Sequence, residues 1–448
     1  MFDVREKPSQ VETALLIGAY FDRREMGKAE ELLDELEELV NTLGISVTTA
    51  ELVNVREYNP RYLVGKGKAK ELMELAKQQG ADCIIFDNEL TPAQQRAWEA
   101  EAEKSVIDRH EVILDIFSMR ARTREARLQV ELARMEYSLP RLTRMWAHLD
   151  RQGGGAGSGG GAASGGSGGG GAQAARGEGE TQLEVDRRLA HKRLDKLRAD
   201  LEEVKRQRDT MRKERGRVAV AHAAIVGYTN AGKSSLLNLL TSSDVLAEDK
   251  LFATLDTTTR RLELPDGQAL LVTDTVGFIR NLPHDLVQSF RATLEESILA
   301  DFLIHVLDAS SPQADQLYQT TMEVLAELGA GEKRMLLVLN KIDLIDAERL
   351  TELQRMFPEA VSISIKTGQG IDDLHHRLHQ MLIDRVVRMD LAIPLDRMDL
   401  VAFAHQEGKV LQENYDNGLA EIQCVVPKRF ESRFLPFLAT ADPVAVAG

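Results

Sequence analysis

Short apolar runs alternate with stretches of helical period through the first quarter of the chain. ALLIGAY (14–20), SVTTAELV (46–53), DCIIFD (82–87) and SVID (105–108) are separated by segments at about 28–42, 68–79 and 91–103, where apolar residues recur every three or four positions. Strands without polar alternation are buried on both faces, so a small α/β domain with a largely parallel sheet is predicted over 1–110. Next, Leu128, Leu132, Met135, Leu139, Leu142, Trp146 and Leu149 recur at alternating spacings of four and three, the seam of a long packed helix, which Pro140 should kink near Leu139. The spacing returns at Ala190, Leu194, Leu197, Leu201, Val204 and Met211, so 111–217 is predicted to form a long antiparallel helical hairpin. Its second arm, 187–216, extends about 45 Å at about 1.5 Å per residue.

From 218 to 389 the alternation resumes, with AAIV, ALLVTD, FLIHVLD, MLLVLN and VSISI as buried strands of a second α/β domain. Over 390–448 strand-like LVAFAH and EIQCVVP flank the turn signal Asp416-Asn417-Gly418, which predicts a small α+β domain. Several domains agree with a length of 448 residues, more than one hydrophobic core supports.

Composition changes the picture at two places. Residues 153–171 hold 13 glycines with only Ala and Ser beside them, too little to bury a core, so a flexible tip is expected over 152–180. Net charge is −15, yet 187–217 carries 13 Lys/Arg against 6 Asp/Glu and 120–151 carries 8 Arg against 4 acids, so the hairpin is locally basic. That basicity is either a solvated helix face or a phosphate-binding one. Elsewhere composition mainly excludes. No run is apolar for long enough to span a membrane, MFDVREKPSQ has no apolar export signal, and two cysteines, Cys83 and Cys424, support no disulfide framework. A cytoplasmic protein is expected.

The chemistry concentrates in the second α/β domain. Gly227-Tyr228-Thr229-Asn230-Ala231-Gly232-Lys233-Ser234 fits G-x-x-x-x-G-K-[ST], directly after AAIV and before SLLNLL. Such a loop turns backbone N–H groups toward phosphate oxygens, places the lysine charge on the β and γ phosphates and offers the serine hydroxyl to magnesium. Asp274-Thr275-Val276-Gly277 ends a buried strand, where an Asp holds a metal-bound water and a Gly N–H meets the γ-phosphate. Between them, Phe252-Ala253-Thr254-Leu255-Asp256 is expected to form a switch loop in which Thr254 supplies a second magnesium hydroxyl. Asn340-Lys341-Ile342-Asp343 closes MLLVLN, and the Asp343 carboxylate matches the N1–H and 2-amino donors of guanine, a pair that adenine lacks. Ser364-Ile365-Lys366 ends the last strand and is expected to contact the guanine O6. These five segments form the expected nucleotide site, with Lys233, Thr254 and Gly277 catalytic, Ser234 and Thr254 on the metal, GTP as substrate and Mg2+ as cofactor. Phe278 stands where Ras-type enzymes place a water-orienting glutamine, so slow intrinsic hydrolysis is expected. Asn230 is read either as a turn residue or as a potassium ligand.

The chain resembles the HflX-type GTPases, ribosome-associated members of the translation-factor class, along nearly its whole length. The resemblance rests on GYTNAGKSSL, LFATLD and DTVGFIRNLPHDLV, and on Gly65-Lys66-Gly67-Lys68, Leu90-Thr91-Pro92-Ala93-Gln94-Gln95-Arg96 and Val106-Ile107-Asp108-Arg109. Ile113-Leu114-Asp115-Ile116-Phe117, Arg120-Ala121-Arg122-Thr123, Leu128-Gln129-Val130-Glu131-Leu132-Ala133 and Gly179-Glu180-Thr181-Gln182-Leu183-Glu184 extend it. It departs at Thr257 and Glu178, where the family has proline, at Ile365 for alanine, at Ala97 for asparagine, and in the Gly/Ala/Ser tract of the tip. What the resemblance implies is a monomeric, cytoplasmic GTPase with a P-loop Ras-like domain. It would bind rRNA and proteins of the large ribosomal subunit, cycle between GTP and GDP and separate stalled or idle ribosomes, with the tip directed at the peptidyl-transferase region. For some members it implies ATP use by the N-terminal domain, where Lys66 and Lys68 are the candidate phosphate contacts. A GTP-timed regulatory module on RNA or at the membrane periphery, and an RNA-remodelling ATPase with an accessory GTPase, stand as alternatives.

Overall fold

The computed structural model describes residues 11–142, 188–208, 220–241, 251–264, 269–281, 296–383, 386–416 and 418–439; the glycine-rich tip lies outside them. The chain divides into two compact units. The first holds Met1–Val204 with Glu248–Asp256 and Ile279–Thr293; the second holds Lys205–Ala247, Thr257–Phe278 and Leu294–Gly448.

In the first unit, β1 (Thr13–Tyr20), β2 (Ser46–Asn54), β3 (Cys83–Phe86) and β4 (Ser105–Asp108) form a four-stranded parallel sheet in the order β2-β1-β3-β4. Central β1 is buried along Ala14–Ala19, as its unbroken apolar run predicts. Helices α1 (Met26–Thr42), α2 (Lys66–Gln78), α3 (Pro92–Ala102) and α4 (Arg109–Arg120) connect and flank the strands. Sequence fixes the start of α3 closely. Pro92 occupies the first turn, while Thr91 and Gln94 form a reciprocal capping box. Trp98 of α3 is fully buried between Tyr62 and Phe86 and donates its indole N–H to the Tyr62 carbonyl at 2.9 Å. Trp98 thereby joins a core that includes Leu15, Ile17, Phe86 and Val106.

Helix α5 (Arg124–Leu142) carries the first apolar seam and includes Pro140 near its end. The described part of the second arm is a helix over 188–208. Leu194 and Leu197 pack on Leu132, with Leu128, Met135, Leu139 and Leu201 around them, so both seams meet as their periodicity requires. Arg193 pairs with Glu131, and Arg198 with Glu136 at 2.8 Å, while Arg188, Lys192 and Lys196 are exposed.

The second unit holds a six-stranded sheet, β5 (Ala221–Gly227), β6 (Thr258–Glu263), β7 (Ala269–Asp274), β8 (Phe302–Asp308), β9 (Met335–Asn340) and β10 (Val361–Ser362), in the order β10-β9-β8-β5-β7-β6. All neighbours are parallel except β6 and β7. Ile225, Ile304 and Val338 are fully buried in its core, each contributing about 1.5–3 kcal/mol over exposure. VSISI is shorter as a strand than its pattern suggests. After Val361–Ser362 only the Ile363 N–H to Leu339 carbonyl bond continues the ladder, and Ser364 turns back toward Gln369.

At the C-terminal end, β11 (Val386–Pro394), β12 (Lys409–Asp416) and β13 (Leu419–Pro427) form an antiparallel sheet in the order β11-β13-β12. β11 starts ahead of residue 390, so this sheet takes in residues assigned above to the preceding domain. LVAFAH is helical, within Met398–Glu407. Burial there falls on Leu400, Val401 and Ala404, one helical face packed on the sheet, whereas a strand would have buried alternate residues. No helix among the described residues is long and apolar enough to cross a membrane.

Candidate nucleotide site

In the second unit the loop from Gly227 to Gly232 leaves the central strand β5 and enters a helix, Lys233–Thr241. It is pinned from below: the Thr229 N–H donates to the Phe278 carbonyl at 2.8 Å and the Phe278 N–H to Gly227 at 3.1 Å. Phe278 is itself 1% exposed and bridges to Tyr228, so the residue after DTVG is a structural clasp with no polar group to orient water. Asn230 has φ +59, a left-handed conformation that Asn adopts readily.

Lys233 is buried and donates to the Tyr228 carbonyl at 2.6 Å. Burial pushes its ammonium down to about 8, against the pull of the Asp274 carboxylate. A desolvated cation held by one carbonyl is poised to gain from an incoming anion. The Thr229 hydroxyl, also buried, has no hydrogen-bond partner among the described residues. Gly277 lies against both: a Cβ there would come within 2.8 Å of Lys233 Nζ and 2.9 Å of Thr229 Cα. Ser234 Oγ donates to Asp274 Oδ2 at 2.6 Å, which joins a hydroxyl and a carboxylate, the hard oxygen donors that magnesium takes. The residues present fit that ion.

The base-recognition segments converge through hydrogen bonds that motif spacing does not show. Asn340 Nδ2 donates to the Ala231 carbonyl at 2.9 Å, and its Oδ1 accepts from the Ile365 N–H at 3.3 Å. One amide thus ties the phosphate loop to the last segment. Gly232, φ +97, must be glycine, because a Cβ would collide with the same Asn340 amide. Ser364 Oγ donates to Asp343 Oδ1 at 2.6 Å, fixing the exposed carboxylate, and Lys341, at φ +65, pairs with Asp308 at 2.7 Å. Exposed Lys366 makes no polar contact among the described residues.

Three family models match the chain: "GTP-binding GTPase N-terminal" over 30–118, "GTP-binding GTPase Middle Region" over 120–215 and "50S ribosome-binding GTPase" over 222–341. GTPase HflX of Akkermansia muciniphila is 56% identical over 444 residues, covering 98% of this chain and all of the relative. The chain belongs to the HflX family of GTPases. GTPase HflX of Escherichia coli K12 is 42% identical over 86% of each chain, and that of Chlamydia pneumoniae 39% identical over 99% of this chain and 91% of its own. Among solved structures, SsGBP in complex with GDP is 23% identical with a TM-score of 0.48, covering 83% of this chain and 99% of that one. As an HflX protein the chain is a GTP hydrolase.

Within this HflX chain the P-loop, Asp274–Gly277, Asn340–Asp343 and Ser364–Lys366 share the second unit, whereas Phe252–Asp256 belongs to the first. There Phe252, at φ +53, sets its ring edge-on to Phe117 at 4.7 Å. Asp256 accepts from the Arg122 and Thr123 N–H groups at 2.8 and 3.1 Å and from the Thr123 hydroxyl at 2.5 Å. Its carboxylate therefore completes the N-terminus of α5, a role that the motif reading did not give it. Motif reading also passed over His305, in the middle of β8. It is fully buried, stacks on Tyr318 at 5.3 Å and has no hydrogen bond to either ring nitrogen among the described residues. Burial, helped by the Lys233 charge, pushes it down to about 3 and keeps it neutral. A polar residue inside FLIHVLD was the available signal.

Proposed function

We propose that this HflX GTPase uses the site at Gly227–Ser234, Asp274–Gly277, Asn340–Asp343 and Ser364–Lys366 to bind and cleave GTP, and that GTP holds it on the large ribosomal subunit so that stalled or idle ribosomes separate. The match of 222–341 to a 50S ribosome-binding GTPase carries this reading. Supporting it, Lys233 and the Thr229 hydroxyl are buried beside Gly277 with capacity for an anion. Ser234, joined to Asp274, would hold magnesium, which would supply positive charge against the phosphates. Lys233 meets the phosphates, Asp343 reads guanine, and Ser364 holds Asp343 in place. With buried Phe278 after DTVG, hydrolysis is slow until the ribosome or another group supplies water orientation. The basic arm 187–217 and the tip 152–180 are assigned to rRNA.

Sedimentation of 70S ribosomes in sucrose gradients tests this. Full-length protein with a GTP analogue should convert 70S particles to subunits, and GDP should not. Deleting 151–180 should abolish splitting and leave GTP binding intact. Splitting that is independent of nucleotide, or undiminished by the deletion, would overturn the proposal.

A further inference from the structure

The first unit contains a cavity of about 730 Å³ at the C-terminal ends of β1 and β3, where connections leave a parallel sheet in opposite directions. Open α/β sheets place ligands at such a switch point, and the usual occupant is a phosphate bound at uncapped helix N-termini. Here the N-termini beside the cavity are already served by the protein itself. Asp22 caps the 3-10 turn that leads into α1 by accepting from the Arg24 N–H at 3.0 Å, Thr91 and Gln94 close the capping box of α3, and Asp108 caps α4 by accepting from the Glu111 N–H at 3.2 Å. Asp108 also accepts from the Leu90 N–H at 3.0 Å and from the Tyr137 hydroxyl at 2.9 Å.

The charge in the cavity opposes an anion as well. Arg109 reaches its wall but is 3% exposed and neutralised by Glu35 at 2.5 Å and Asp87 at 2.8 Å. What remains is Glu25 and Glu89 against Lys28, all three exposed. At the rim Phe21 and Tyr58 are 45% and 41% exposed, with ring centroids 4.2 Å apart, two large aromatic faces left to water in a domain that buries Trp98 completely. The Tyr58 hydroxyl is raised by burial, and the Glu25 and Asp87 carboxylates add to the shift, so the aromatic rim lies in a negative field.

An aromatic pair over surplus carboxylate suits a flat, weakly hydrated cation better than a compact ammonium, because a guanidinium stacks on a ring while its edge donates to carboxylate oxygens. We propose that this cavity binds a guanidinium group presented by an arginine side chain of a basic polypeptide, stacked on Phe21 and Tyr58 and hydrogen-bonded by Glu25 and Glu89. The site is separate from the GTP chemistry and requires no nucleotide.

Calorimetric titration of the full-length protein, with the GTPase site saturated by GDP and magnesium, tests this using a glycine-flanked arginine peptide and its citrulline counterpart. Citrulline keeps the shape and removes the charge. The arginine peptide should bind saturably at millimolar concentration and the citrulline peptide at least about tenfold more weakly. Tyr58→Ser and Glu89→Gln, both at exposed positions, should each weaken arginine binding several-fold while circular dichroism and GTP hydrolysis stay as in wild type. Equal binding of the two peptides, no saturable binding at all, or undiminished binding by both variants would overturn the proposal. So would ATP or pyrophosphate binding that Tyr58→Ser removes, and free L-arginine binding more tightly than the peptide would overturn the polypeptide source.

Discussion

Both parallel sheets of this chain gather helix N-termini at the C-terminal ends of their strands, and they treat that edge in opposite ways. In the second unit the loop Gly227–Lys233 contains no acid, a lysine is buried at its end, and one wall is a glycine with no room for a Cβ. In the first unit the corresponding edge carries Glu25, a Thr91–Gln94 capping box and Asp108, and buried Arg109 is consumed by two carboxylates. Helix dipoles are alike in the two places. A phosphate site therefore depends on what a sheet edge leaves unsatisfied, and a capped edge is left to other ligands or to none.

Lys233→Ala should break the comparison most severely. Without its cation the second edge has no charge for phosphate, and kcat/KM for GTP should fall by about 10²- to 10³-fold. Because the side chain is a desolvated ammonium, Tm should fall little or even rise; a large drop would show that the lysine is mainly structural. Gly277→Ala should come next. The added Cβ meets Lys233 Nζ and the Thr229 backbone, and forcing them apart costs about 1–3 kcal/mol, a loss of about tenfold or more in GTP affinity measured by fluorescent-nucleotide titration. Unchanged affinity would mean that this wall does not face the phosphates.

Smaller effects sharpen the chemistry of the second edge. Asp343→Asn should move preference from guanine toward xanthine nucleotides by about 1–3 kcal/mol, since an amide donor replaces the carboxylate acceptor. Equal GTP affinity for both proteins would remove Asp343 from base recognition. Lys233 also predicts a proton effect. Its ammonium is pushed down to about 8, so as pH rises through that value the free site loses charge, whereas phosphate binding requires the charged form. GDP binding should take up a substantial fraction of one proton above pH 8 and almost none near pH 6. Calorimetry in buffers of different ionisation enthalpy reads this directly, and proton release above pH 8 would contradict it.

Sequence carried the two edges unequally. The strands of both sheets other than β6, and the phosphate loop, were legible because apolar runs and a spaced glycine-lysine motif are local signals, read within about ten residues; β6, TTRRLE, is too polar to show as such a run. LVAFAH was misread, because a short apolar run has no period of its own and only the sheet beneath Leu400, Val401 and Ala404 decides for a helix. VSISI promised more strand than its single neighbour β9 supports. Asp256 was read with the switch motif, but its partners Arg122 and Thr123 lie more than a hundred residues earlier. The clasp of Asn340 on Ala231 and Ile365 and the pairing of Asp308 with Lys341 were likewise invisible, because each depends on strand order rather than spacing, whereas buried His305 left a signal that was passed over. In the first unit the helical period at about 91–103 announced α3, but neither its Thr91–Gln94 cap nor that the cap lines a cavity.

That cap gives the smallest expected effect. Thr91 Oγ1 accepts from the Gln94 N–H at 3.3 Å, and Gln94 Oε1 accepts in return from the Thr91 N–H at 2.9 Å. Thr91→Ala removes the first bond and leaves the second possible, so the loss should be about 0.5–2 kcal/mol in urea unfolding, read as a lower midpoint with an unchanged slope. GTP hydrolysis should not change, because no part of the nucleotide site depends on α3. Partial uncapping also asks whether capping is what keeps phosphate from this edge. The freed Gln94 N–H stands beside a cavity that still holds Glu25 and Glu89, so inorganic phosphate should bind no better to Thr91→Ala than to wild type. Phosphate stabilising the variant selectively would show that the cap alone, rather than the surrounding carboxylate, makes the two edges differ.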